Sequence, residues 1–139
     1  MSADRDEPSA SSGMGLQLRE AHYPGRAPVD AYGNGGFRFA GMSHRGSILC
    51  LPSGIYGWAP AHIEEVGPPD LTRLLNEGGL ELLLLGTGDE LRPLPSALRE
   101  SLANGAFAVE PMSTGAAVRT LNVLLAEGRA VGAALLAVE

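Results

Sequence analysis

Ala106-Phe107-Ala108-Val109-Glu110-Pro111-Met112-Ser113-Thr114-Gly115, continuing from Ala116 to Val138, is the stretch that decides the fold. Ala106 to Val109 is a short apolar run, stopped by Pro111 to Gly115. Apolar residues then recur at helical spacing, at Ala117, Val118, Leu121, Leu124 and Leu125. Gly128 stands where a helix C-cap takes positive φ, and Ala130 to Val138 is apolar almost throughout. Strand, polar turn, helix and strand make a βαβ unit. Because near-continuous apolar runs mark strands covered on both faces, its two strands are expected to be parallel neighbours in a buried sheet.

Upstream, Glu81 to Leu85 reads as a second buried strand, ended by Gly86-Thr87-Gly88. A helix capped by Asp70, with Leu71, Leu74 and Leu75 on one face, precedes it; Gly78-Gly79 stops that helix. Another helix fits Pro95 to Ala103. The first half is an antiparallel meander. Val29 to Tyr32 and Phe37 to Met42 flank Asn34-Gly35, the strongest short-range hairpin signal, because both turn residues must take positive φ. Ser43 to Gly46 is the next turn, followed by strands at Ser47 to Leu51 and Ile55 to Trp58. Residues 1–15 are Ser-, Asp-, Gly- and Pro-rich and read as a disordered tail; 16–139 reads as a single α/β domain. Its expected architecture is a three-layer mixed β-sheet with helices on both faces and an additional N-terminal β-hairpin or meander.

The composition narrows the function. A net charge of -6 speaks against nucleic acid as partner, since a phosphate backbone is met by a basic face. The chain has no lysine, its ten Lys/Arg positions all being arginine, so neither Schiff-base chemistry nor a P-loop lysine is available. The lone Cys50 cannot form an internal disulfide, which suits a reducing, cytoplasmic setting. No apolar run approaches the ~20 residues of a membrane-spanning helix, and direct membrane insertion is not expected.

Two loops carry the candidate chemistry. Gly86-Thr87-Gly88 and Ser113-Thr114-Gly115 each follow a strand, and parallel strands bring both to one sheet edge, where open α/β folds bind ligands. Ser113-Thr114 also opens a helix whose free N–H groups favour an anion, and Arg119 lies little more than a turn onward. These seven residues form the candidate cleft for a small anion. The competing reading makes Gly-Thr-Gly a tight turn and Ser113 or Thr114 a simple N-cap. Neither loop matches a dinucleotide fingerprint or a P-loop, and His22, His44, His62 and Cys50 have no metal-ligand spacing, so no cofactor and no metal are expected. His44-Arg45 reads as a solvated turn pair and Cys50 as an inert core thiol. Trp58, the only tryptophan, is either core or an exposed anchor for a protein partner; burial tendencies favour core. No catalytic acid–base pair can be named.

Several of these residues carry a resemblance. Gly36-Phe37-Arg38-Phe39, Gly46-Ser47-Ile48-Leu49, Trp58, Leu83 to Gly88, and above all Met112 to Asn122 with Glu127-Gly128-Arg129 resemble one small α/β domain family. This is the Mth-type family of unknown molecular function, which includes the mitochondrial complex I (NADH:ubiquinone oxidoreductase) assembly factor 3 and the adipogenesis-associated Mth domain protein. The resemblance covers about Val29 to Val138. It implies the three-layer fold, and it carries over no catalytic residue, because the family has no agreed enzymatic activity. It also implies a non-catalytic interaction or assembly role, in membrane-complex biogenesis, with a protein partner. The contrasting reading is a small ligand-binding domain or enzyme using the cleft between the two loops.

Overall fold

The computed structural model describes residues 22–139. The tail at 1–15 therefore lies outside the described residues. The pivot is the leucine run, β6 (Leu82–Gly86), paired in parallel with β7 (Ala108–Met112) on one side and β8 (Val131–Leu135) on the other. Beyond β8 lie β4 (Ser47–Leu51) and β5 (Gly54–Trp58), each antiparallel to its neighbour, giving the order β5-β4-β8-β6-β7. Along β6 the side chains alternate. Leu83 and Leu85 enter one apolar cluster, while Leu84 enters the other.

On the first face the sheet is covered by α1 (Pro68–Leu75) and α2 (Ser96–Leu102), through Leu71, Leu74, Leu98 and Leu102. On the second face α3 (Thr114–Ala126) contributes Ala117, Val118 and Leu121. Beside α3 sits a separate three-stranded sheet of β1 (Val29–Gly33), β2 (Gly36–Phe39) and β3 (Met42–Arg45), whose Val29, Phe37 and Phe39 close the same core. The small sheet is tied down at two points. Asn122 of α3 clamps β1, accepting from the Val29 N–H at 3.0 Å and donating to its carbonyl at 2.9 Å. The Asn34-Gly35 turn, left-handed at both residues, donates the Gly35 N–H to Val138 O at 2.8 Å. The mixed sheet, the helices on both faces and the extra N-terminal layer are as expected.

Four local expectations are corrected. The strands of the βαβ unit are parallel but not neighbours, since β6 lies between them. Nor is β7 covered on both faces: it is an edge strand without a fully buried residue, and it runs on through Pro111 and Met112. A central strand needs its N–H groups, so a strand carrying Pro111 belongs at an edge, and the uninterrupted leucines of β6 take the centre. Residues 43–45, read as a turn, are β3; the turn is Ala40-Gly41, with φ of 51° and 76°. Asp70 is not the N-cap of α1 but its third residue, reaching back to accept from the Gly67 N–H at 2.9 Å.

Candidate functional site

The crossover from β6 to β7 to α3 brings Gly86-Thr87-Gly88 and Ser113-Thr114-Gly115 to one edge and then zips them together. The Thr87 N–H donates to Met112 O at 2.9 Å, and the Thr114 N–H to Gly88 O at 2.8 Å. Thr114, fully buried, donates its hydroxyl to Leu136 O at 2.7 Å and accepts from the Gly88 N–H at 3.1 Å. The approach is so close that a Cβ on Gly86 would come within 2.9 Å of the Thr114 Cα. Thr87 is equally committed, donating to Glu90 O at 2.8 Å and accepting from the Arg92 N–H at 2.9 Å. The Ser113 hydroxyl caps α3, accepting from the Ala116 N–H at 3.2 Å. The space expected between the loops is filled by their own bonds. Gly88 has φ of 121°, the left-handed backbone expected of that turn. Arg119 is exposed and folds back along α3, its Nη1 3.5 Å from where a Gly115 Cβ would stand, beside the Tyr32 hydroxyl.

Open space lies elsewhere. At the carboxyl ends of the parallel strands, Thr87 and Gly88 line a polar groove of about 510 Å³. Arg45 and Arg92 bring positive charge to it, Glu64, Asp89 and Glu139 bring negative charge, and His62 also lines it. The first-face groove beside β7 is larger, about 680 Å³, and mostly apolar. Phe107, Val109, Pro111 and Leu94 line it, with the buried Leu102 beneath, and Leu91 in the same lining is 62% exposed. Arg92 borders both grooves. Sequence reading missed the apolar groove, whose one available signal was Leu91, an apolar residue amid Asp89, Glu90 and Arg92.

Trp58 is buried at the end of β5, in the first-face core, and its Nε1–H donates to Asp70 O at 2.8 Å. The indole is core, and one edge of it borders the polar groove. Cys50 is buried too, and desolvation pushes its thiol up to about 12, which keeps it protonated and unreactive at neutral pH. Among the described residues no group of three or more His, Cys, Asp or Glu is placed to hold a metal ion. No described helix is long and apolar enough to cross a membrane.

His44 does not form a solvated pair with Arg45. It packs against His22, ring centroids 4.7 Å apart and planes tilted by 46°, over Gly57, whose missing side chain makes room for both rings. Burial lowers the His44 imidazole below its usual value of 6.5, against a smaller opposing effect of its hydrogen bond with the Ser47 backbone. A group harder to protonate folded than unfolded contributes stability that is present above the unfolded value and lost as pH falls below it. The melting temperature is therefore expected to drop as pH falls through the ordinary imidazole value of 6.5, more steeply in the wild type than in His44→Gln. Parallel slopes in the two proteins would assign the loss to other groups.

With this geometry in place, the comparisons with known proteins are direct. Residues 29–136 match the model of a family described as protein of unknown function (DUF498/DUF598). The human NADH dehydrogenase [ubiquinone] 1 alpha subcomplex assembly factor 3 is 30% identical over 109 residues, which is 78% of this chain and 59% of that protein. The chain thus spans under two-thirds of that relative's length. A crystal structure from Bartonella henselae, described as an outer membrane protein, is 60% identical with a TM-score of 0.79, covering 85% of this chain and 100% of that one. A Bordetella pertussis protein solved by NMR and described as an Mth938-like domain is 29% identical with a TM-score of 0.65, covering 89% of this chain and 92% of that one. The chain belongs to the DUF498/DUF598 family, is homologous to the complex I assembly factors, and has the Mth938-like fold that its motifs imply.

Proposed function

We propose that the protein is a non-catalytic interaction factor in the cytoplasm that assists assembly of a membrane complex by docking a partner protein. One observation carries this reading. The apolar groove beside β7 is lined by half-buried Phe107, Val109 and Pro111 and by the exposed Leu91, which gives a partner apolar surface to dock on. The assembly role borne by the name of the human relative supports it. The test is cross-linking in the native host, with wild type compared to Leu91→Asp. Leu91 is 62% exposed, so the variant should melt like wild type. A partner cross-linked to wild type and lost from Leu91→Asp is the expected result. The same partner held equally by both would move docking away from the groove.

A second reading rests on the polar groove at the strand ends, lined by Arg45 and Arg92 as well as by Glu64, Asp89 and Glu139. There the protein would bind a small anion, with Thr87 and Gly88 at the floor and Arg119 with Ser113, Thr114 and Gly115 as a separate helix-end site. Titrating phosphate distinguishes the two places. Saturable amide shifts at Thr87 to Asp89 that Arg92→Ala abolishes support the groove. Shifts at Thr114 to Ala116 that Arg119→Ala abolishes support the helix end. Flat shifts at both remove the ligand reading.

A further inference from the structure

The hydrogen bonds of β7 determine what kind of segment suits the apolar groove. The Ala108 N–H donates to Glu81 O, and Met112 O accepts from the Thr87 N–H, so these residues turn their backbone toward β6. In a strand, alternate residues turn the other way, which leaves Val109 and Pro111 facing outward. Val109 offers one N–H and Pro111 offers none. An added strand, from a partner or from a second copy, would meet a missing donor in the middle of its ladder. The edge is blunted against strand addition, and what it presents to a partner is side chains.

Those side chains form a trough between a sheet edge and a helix. On this face α1 and α2 cover the centre of the sheet, while Phe107, Val109 and Pro111 at the β7 edge are only half covered. The position continues the layer in which α1 and α2 lie. The charges in the trough all have one sign. Its only ionisable residues are Arg92 and Arg99, in a chain of net charge -6. The Arg99 guanidinium donates to Leu94 O at 2.9 Å, and among the described residues neither arginine has a carboxylate partner.

Resting on the docking reading above, we infer that the groove receives an acidic amphipathic helix of a partner protein. Its apolar face lies on Phe107, Val109 and Leu94, and its carboxylates meet Arg92 and Arg99. This is recognition of a helix in a groove, with charge setting specificity more than affinity.

The probe is a capped peptide of about 15 residues, long enough for an isolated helix, with leucines at helical spacing flanked by glutamates. The control replaces each glutamate by lysine. With the isotope-labelled full chain, the acidic peptide should give saturable amide shifts confined to residues 91–94, 99–103 and 107–112. It should bind at least about tenfold tighter than the lysine peptide, and the Arg92→Glu/Arg99→Glu double variant should reverse that order. Leu91→Asp should weaken the acidic peptide without changing the melting temperature. Equal affinity for the two peptides, no saturable shift with the acidic one, or self-association abolished by Leu91→Asp each overturns the inference. In the cross-linking experiment, a partner lost with Leu91→Asp yet indifferent to the arginine reversal keeps the docking reading and rejects the acidic helix. A partner indifferent to both changes rejects the docking reading itself.

Discussion

Thr114→Val is expected to destabilise the protein severely, although it exchanges one hydroxyl for a methyl of nearly the same shape. The wild-type side chain is fully buried at the start of α3, and its hydroxyl serves two backbone groups at once. With valine, the Leu136 carbonyl loses its partner in the buried interior, and the half-buried Gly88 N–H loses the hydroxyl it donates to. Leaving the buried Leu136 carbonyl unpaired costs about 1–3 kcal/mol. Thr114→Ser keeps the oxygen and gives up only a methyl, so it should retain much of the lost stability. Denaturant unfolding of the three proteins measures this directly. A Thr114→Val stability within about 0.5 kcal/mol of wild type, the range of an ordinary surface exchange, would mean the two loops are held by something other than this hydroxyl.

Trp58→Ala is expected to cost still more, about 3–5 kcal/mol, the usual range for emptying a large aromatic from a core. The indole packs in the cluster with Leu49, Leu71 and Leu74, and its N–H is used by the Asp70 carbonyl. The link matters because it joins the end of β5 to the first turn of α1. Trp58→Phe should fall between the two, keeping a ring but losing the indole's bond to that carbonyl. As the only tryptophan, Trp58 reports on itself by fluorescence, and its emission should be that of a buried indole until the chain unfolds. A Trp58→Ala protein that melts like wild type but no longer cross-links its partner would restore the indole as a docking anchor.

The parts of this fold that can be read from sequence are those whose physics is local. Asn34-Gly35 announces its turn because both residue types accept positive φ. Ser113 and Gly128 bracket α3 for equally local reasons, and Gly128 takes φ of 72°. Ala40 is the contrary case. It adopts φ of 51° only because β2 and β3 pair around it, and an alanine carries no sign of that, so β3 was read as a turn. The edge position of β7 was also hidden. A short apolar run reads the same in the middle of a sheet as beside a groove, and only Pro111 hinted at the difference. The candidate site was the least legible part. The two loops do meet, as parallel strands require, but the hydrogen bonds that fill the space between them depend on tertiary distances. Arg45, His62, Arg92 and Glu139 share a groove although they come from four separate segments. Asn122 reaches Val29 across 93 positions of sequence.

The last strand to be made is the one in the middle. β4 pairs with β5, and β6 with β7, and the two pairs meet only through β8. A chain growing from its N-terminus therefore carries two half-sheets with open inner edges until residues 131–135 are available to join them. Closure depends on contacts distant in sequence, which makes it slow relative to helix formation. Until then the exposed edges of β4 and β6 are the places where a nascent chain is open to mispairing with its neighbours.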